Sequence, residues 1–200
     1  MSAVATESEQ KRNAGRPRCQ AARESILSAT VRLLRDTSVR ELAIESIARE
    51  AGVGKATIYR WWPNKTEIVI DAFFSEAVPL TEFPKFASPS EAIQGQCARL
   101  VEVLSGPLGR VVAQVIGEGQ SNREVLAKFR KKFPEHRRAE FALLFAQGVS
   151  AGEFNASIDV EVATALVYGP VWYRLLVDPQ PLNADFAARL PRLAVAALAA

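Results

Sequence analysis

Ala43-Ile-Glu-Ser-Ile-Ala-Arg-Glu-Ala-Gly52-Val-Gly-Lys-Ala-Thr-Ile-Tyr-Arg-Trp-Trp62 is 20 residues long, the length of two short helices joined by a tight turn. Ile44, Ile47, Ala48 and Ala51 recur at helical spacing on one face of the first helix, and Val53 and Ile58 turn to the same side, so the pair has its own small core. Gly52 stands where the first helix must end in a left-handed residue, a conformation glycine adopts without a Cβ clash. An interhelical angle fixed in this way lets the second helix project outward, as a helix that enters a DNA major groove must. On that helix Lys55 and Tyr59 form one i,i+4 pair and Thr57 and Trp61 another, which sets cationic, hydroxyl and aromatic groups opposite Ile58. Such groups suit phosphate oxygens and base edges. Trp62 is expected in the core, and Lys65 adds charge to the positive N-terminus of the next helix, where a backbone phosphate would be favoured.

Charge is distributed unevenly around this stretch. The chain carries a net +3, yet residues 1–65 hold 12 lysines and arginines against 7 acids, and residues 66–200 hold 13 against 15. The basic front is suited to a polyanion. A hydrophobic share of 48% in 200 residues is enough for a sizeable core.

Towards the N-terminus, residues 1–20 lack hydrophobic periodicity and contain Gly15-Arg-Pro-Arg18, which predicts a flexible basic arm. From Ala21 a first amphipathic helix carries Ile26, Ala29 and Leu33 on one line. Asn64 with Glu67 predicts a capped start for a longer helix, and Ser88-Pro-Ser-Glu91 predicts another start after a proline-bearing linker. Ser121 with Glu124 predicts a long helix bent at Pro134, and two final helices are expected over Val160–Val177 and Leu182–Ala199. The expected organisation is all-α with about nine helices: a flexible arm (1–20), a three-helix helix-turn-helix domain (21–78) and a helical ligand-sensing and dimerisation domain (79–200).

Read from periodicity and charge alone, the chain fits either a DNA-binding regulator or a helical adaptor that binds other proteins. Gly15-Arg-Pro-Arg18, a helix, and then Ile47-Ala-Arg-Glu-Ala-Gly-Val-Gly-Lys-Ala-Thr-Ile-Tyr-Arg-Trp-Trp-Pro-Asn-Lys65 resemble the DNA-binding domain of the TetR family of bacterial regulators, over about residues 15–75. The resemblance implies a homodimer on a palindromic operator in double-stranded DNA, most often a repressor released by a small-molecule effector. By position it implies that Thr57, Tyr59, Trp61 and Lys65 meet phosphates or bases, that Lys55 lies near base edges, and that Arg16 and Arg18 sit on an arm directed to the minor groove. Two positions depart from the family. Ala43 replaces the usual Ser or Thr cap of the second helix, a loss of about 1 kcal/mol, and Ser38 replaces a common glycine.

In the C-terminal body, Val160–Val177 is apolar almost all round and needs a second cover besides the chain's own core. A twofold dimer through a four-helix contact is expected there, with Val167 and Val171 on one helix and Leu190, Leu193 and Ala197 on the last. A family-like effector pocket among the middle helices is expected to use Leu100, Gln114, Phe145, Tyr168 and Trp172.

Cys19, Cys97 and the single histidine, His136, are too few for a disulfide framework or a metal cluster, and no nucleophile-base pair or cofactor loop is recognisable. Neither an enzyme, nor a metal, nor a cofactor is expected. With no apolar leader and no uncharged stretch of membrane-spanning length, the expected location is the cytoplasm, without a membrane partner.

Overall fold

The computed structural model describes residues 5–84, 88–132, 134–178 and 180–199, apart from the side chains of 5–18 and 134–136. Among the described residues there are ten helices: α1 (Ala5–Leu33), α2 (Ile44–Ala51), α3 (Lys55–Tyr59), α4 (Lys65–Leu80), α5 (Pro89–Ser105), α6 (Pro107–Ser121), α7 (Arg123–Lys132), α8 (Pro134–Ser150), α9 (Val160–Leu176) and α10 (Ala184–Ala196). The β-pairing described is a single antiparallel bridge, Phe154 with Ala199.

Contacts divide the chain into two compact units, Met1–Ala72 and Phe73–Ala200. The division falls inside α4, two turns before the boundary expected from sequence. Its physical basis is aromatic: Phe73 and Phe74 pack on Phe129 of α7, with ring centroids 6.2 and 5.8 Å away.

In the first unit, Ile26 and Leu27 of α1, Ile47 and Ala48 of α2, and Ile58 of α3 are buried together with Ile68 and Val69 of α4. Burying a side chain such as Ile58 contributes roughly 1.5–3 kcal/mol. A polar tie reinforces the core: the Asp71 carboxylate accepts from Arg23 Nη2 at 2.9 Å and from Trp62 Nε1 at 3.0 Å, and the Arg23 guanidinium lies 5.5 Å from the Trp62 ring centre. Trp62 is thus a core residue with its one polar group satisfied, as expected.

The second unit is built on α5, against which α10 packs most extensively. Phe141, Phe145 and Phe154 stack in series, and Tyr168 meets Phe141 edge-on. Gly148 makes that stack possible, since a Cβ there would lie 2.2 Å from the Phe154 ring.

Several helix signals hold. Gly52 takes φ +67° and ends α2 as a left-handed cap. Asn64 Oδ1 accepts from Glu67 N at 3.1 Å while its amide donates back to the Glu67 carboxylate. Ser88 Oγ accepts from Glu91 N. Ala43 offers no side-chain cap, whereas Ser38 Oγ accepts from Glu41 N and donates to its carboxylate, so the serine that replaces glycine closes a reciprocal turn.

The ten described helices agree with the expected all-α organisation of about nine, and the bend expected at Pro134 adjoins residue 133, outside the described residues. The structure differs from expectation at individual helix ends. Ser121 does not cap α7: it closes α6, donating to Glu118 O, and Asn122 Oδ1 accepts from Glu124 N and Val125 N instead. Residues 5–20 of the expected arm are described as the start of α1, and residues 1–4 lie outside the described residues. The final helix starts at Ala184, because Asn183 caps it by accepting from Phe186 N at 2.9 Å.

Candidate nucleic-acid interface and effector cavity

Helix α3 is only five residues long, and a turn carries it on through Trp62, whose N–H donates to Ile58 O. Ile58 is fully buried, and this single anchor fixes which side of α3 faces out. On that outer side Tyr59 is 53% and Trp61 38% exposed, Lys55 is exposed and Thr57 is half-buried at the edge. The four residues expected to meet DNA from this segment therefore lie on an accessible surface. The side chains of Arg16 and Arg18 lie outside the described residues.

Lys55 Nζ lies 2.9 Å from Glu45 Oε1 of α2. Hydrogen bonding and charge from this pair raise the Lys55 pKa and lower that of Glu45, so both remain ionised across the neutral range. The pair is exposed, and a phosphate can compete for the ammonium at little cost.

Lys65 is held differently. Its Nζ donates to Arg40 O at 2.6 Å and Leu42 O at 2.9 Å, tying the start of α4 to the loop before α2. An ammonium has three N–H groups, so one is left to aim outward. Sequence reasoning saw the charge of Lys65 and missed its clamp, because the acceptors are backbone carbonyls that no residue type announces. Arg60, the exposed cap of α3, stands between Tyr59 and Trp61 in the chain.

Within the second unit a cavity of about 80 Å³ is lined by Gln96 and Leu100 of α5, Arg137 and Arg138 of α8, and Thr164, Tyr168 and Trp172 of α9. Of the five expected pocket residues, Leu100, Tyr168 and Trp172 line it. Gln114 does not, being on the exposed side of α6, and neither does Phe145, whose ring is sandwiched between Phe141 and Phe154.

Gln96 and Arg137, absent from the expectation, are the buried polar residues of the cavity, 1% and 6% exposed. Gln96 Nε2 donates to Thr81 O at 3.2 Å; Arg137 donates through Nη2 to Val78 O and Thr81 Oγ1, and through Nη1 to the Glu140 carboxylate. Both residues thus grip the end of α4. Burial pushes the Tyr168 hydroxyl well above its ordinary pKa, and burial raises Cys97, whose thiol donates to Val167 O, to about 12. Both groups are neutral in the folded protein at physiological pH.

The expected dimer residues divide. Val167 and Val171 are fully buried inside the single chain, and Leu190 is nearly so, so none of the three offers a surface to a partner. A helix apolar all round gives no sequence clue to its inward side, and the Val167 side won because it packs on Cys97 and α5. The exposed apolar stripe of α9 is Val162, Leu166, Tyr173 and Leu176, with Leu193 (65% exposed) and Ala197 on the outer side of α10. Among the described residues, no single helix is long and apolar enough to cross a membrane, and no group of three or more candidate metal ligands is found.

Two family models match the chain. That of bacterial regulatory proteins of the tetR family covers residues 26–72, and a tetracyclin repressor-like C-terminal domain covers residues 88–194. An uncharacterized HTH-type transcriptional regulator, YdeS of Bacillus subtilis (strain 168), is 34% identical over 88% of this chain and 89% of its own length. The crystal structure of the TetR family transcription regulator SCO0332 superposes with a TM-score of 0.75 at 26% identity, covering 90% of this chain and 99% of that one. The fold is shared also by the transcriptional regulator FadR from Bacillus subtilis, solved in complex with stearoyl-CoA, with a TM-score of 0.71 at 20% identity over 88% of this chain and 98% of that one.

Proposed function

Because the chain belongs to the TetR family of bacterial regulatory proteins and is a DNA-binding transcriptional regulator, we propose that it represses from a palindromic operator as a homodimer and is released when a small molecule fills the cavity under Tyr168. The observation that carries this reading is the polarity of α3: a fully buried Ile58 on one side, with Tyr59, Trp61 and Lys55 exposed on the other. A duplex matches the ammonium, the phenol and the indole that this outward helix bears. Lys55, Thr57, Tyr59, Trp61 and Lys65 are assigned to operator contact, divided between bases and phosphates.

A second copy of the chain is assigned to the stripe of Val162, Leu166, Tyr173 and Leu176 on α9, spaced four, seven and three residues apart along one side of the helix, together with Leu193 of α10. Effector response is supported by the position of Gln96 and Arg137, which line the cavity and also hold Val78 and Thr81 at the end of α4. A ligand that shifts either residue therefore acts on α4, the helix that begins at Lys65. FadR is solved with stearoyl-CoA; at about 80 Å³ the cavity here is far too small for a long acyl chain and favours a more compact effector.

The test is a footprint on DNA flanking the gene, followed by affinity measurements on the protected fragment at two salt concentrations. A twofold-symmetric footprint and a log–log salt slope of roughly −0.9 per phosphate contacted are expected. A flat salt response, or protection without symmetry, would sink the proposal.

A further inference from the structure

Among the described residues, three buried side-chain polar atoms lack a hydrogen-bond partner: Gln96 Oε1, Arg137 Nε and Tyr168 Oη. They come from three different helices and all three residues line the same cavity. Buried polar groups are nearly always paired, and each one left alone is destabilising. Three such groups around one hollow describe a site built to be filled.

The hydrogen-bonding sense of each group can be assigned. Thr81 O only accepts, so the Gln96 amide must turn its Nε2 towards it and its oxygen, an acceptor, towards the cavity. Arg137 uses both Nη2 hydrogens on Val78 and Thr81 and one Nη1 hydrogen on Glu140, so what it has left to offer a ligand, its unpartnered Nε–H foremost, is donor only. Tyr168 brings a hydroxyl that both gives and accepts. The guanidinium charge is already matched by the Glu140 carboxylate, and Arg138 at the rim is matched by Glu161 at 2.8 Å. A buried anion would find no uncompensated positive charge and would face the Gln96 oxygen. The remaining walls are Leu100, the Trp172 ring and Thr164, whose hydroxyl already donates to Val160 O.

We propose, building on the reading of this cavity as the effector site, that it takes the uncharged polar end of a small molecule with a hydrogen-bond donor beside an acceptor. Gln96 Oε1 receives the donor, and Arg137 Nε–H with Tyr168 Oη serves the acceptor. A primary or secondary carboxamide has this pattern, with the rest of the molecule lying along Leu100 and Trp172 towards the rim.

The experiment titrates the full chain with benzamide, benzoate and toluene by ligand-observed NMR, and repeats the benzamide titration on Tyr168→Phe and Gln96→Leu. Benzamide is expected to bind at least tenfold tighter than benzoate or toluene. Tyr168→Phe is expected to weaken benzamide about fivefold or more while melting no lower than the parent chain, since it deletes an unpaired buried hydroxyl; a merely structural tyrosine would lower the melting point and leave the probe preference alone. Benzoate or toluene binding as tightly as benzamide overturns the proposal, as does unchanged affinity in Tyr168→Phe. The absence of saturable binding by any probe also overturns it, leaving the three groups to ordered water. DNA binding is measured on the same preparation: its loss counts against the regulator reading alone, and its retention without benzamide binding counts against this inference alone.

Discussion

Tyr59 and Lys65 differ in what they do before DNA arrives. Tyr59 is half exposed, and no hydrogen bond to its hydroxyl is found among the described residues, whereas Lys65 Nζ already bridges Arg40 O and Leu42 O. Tyr59→Ala is therefore expected to weaken operator binding tenfold or more with an unchanged melting temperature. Lys65→Ala should weaken binding and also cost about 1 kcal/mol of stability, because two carbonyls lose a charged donor. Equal melting of the two variants in a denaturation series would contradict the clamp. Gly109 presents a starker case: a Cβ on it would lie 1.8 Å from the carbonyl oxygen of Leu104, where neither atom belongs to a movable side chain. Gly109→Ala should destabilise the chain by more than the roughly 1–3 kcal/mol of ordinary overpacking, and a melting curve within a degree of the parent would contradict so close an approach at the junction of α5 and α6.

Among the elements, those whose ends are fixed by local chemistry could be read from sequence, and those defined by tertiary partners could not. Gly52, Asn64 and Ser88 act within three or four residues of themselves, so their turns and caps follow from the order of amino acids. Ser121 and Asn122 stand side by side, both able to cap, and only the path of the chain decides that Asn122 does so. Residues 96, 137 and 168 are far apart in sequence, and each looks unremarkable on its own helix; the cavity exists only once α5, α8 and α9 meet. The inward side of α9 is likewise set by its neighbours, Cys97 among them. That thiol supplies a prediction at this scale. Burial raises its pKa from 9.0 to about 12, so above pH 9 the unfolded chain loses a proton that the folded chain keeps. Its contribution to stability is intact below pH 9 and is lost progressively between pH 9 and 12, by up to about 1.4 kcal/mol per pH unit. Urea denaturation across that range should show a steeper decline in the parent chain than in Cys97→Ala; parallel declines would mean that the thiol is not shielded.

At the level of the whole molecule, the proposed partner surface lies on exposed residues of α9 and α10 other than the buried Val167, Val171 and Leu190 expected from sequence. Leu166 and Leu193 are exposed, whereas Val167 and Val171 are not. Leu166→Glu is expected to give a monomer in sedimentation equilibrium with a near-normal helical signal, and to lose operator affinity by tenfold or more because a monomer grips one half-site only. A dimer that survives this change would move the partner surface elsewhere. The Lys65 bridge bears on the same recognition event from the side of entropy. A lysine side chain that must be immobilised when a duplex arrives gives up rotamer freedom of up to about 1.5–2 kcal/mol at that moment. Here the loop carbonyls of Arg40 and Leu42 have stilled the chain beforehand, so this loss is charged to folding, and in the operator contact proposed above each half-site would meet an ammonium already standing at its post.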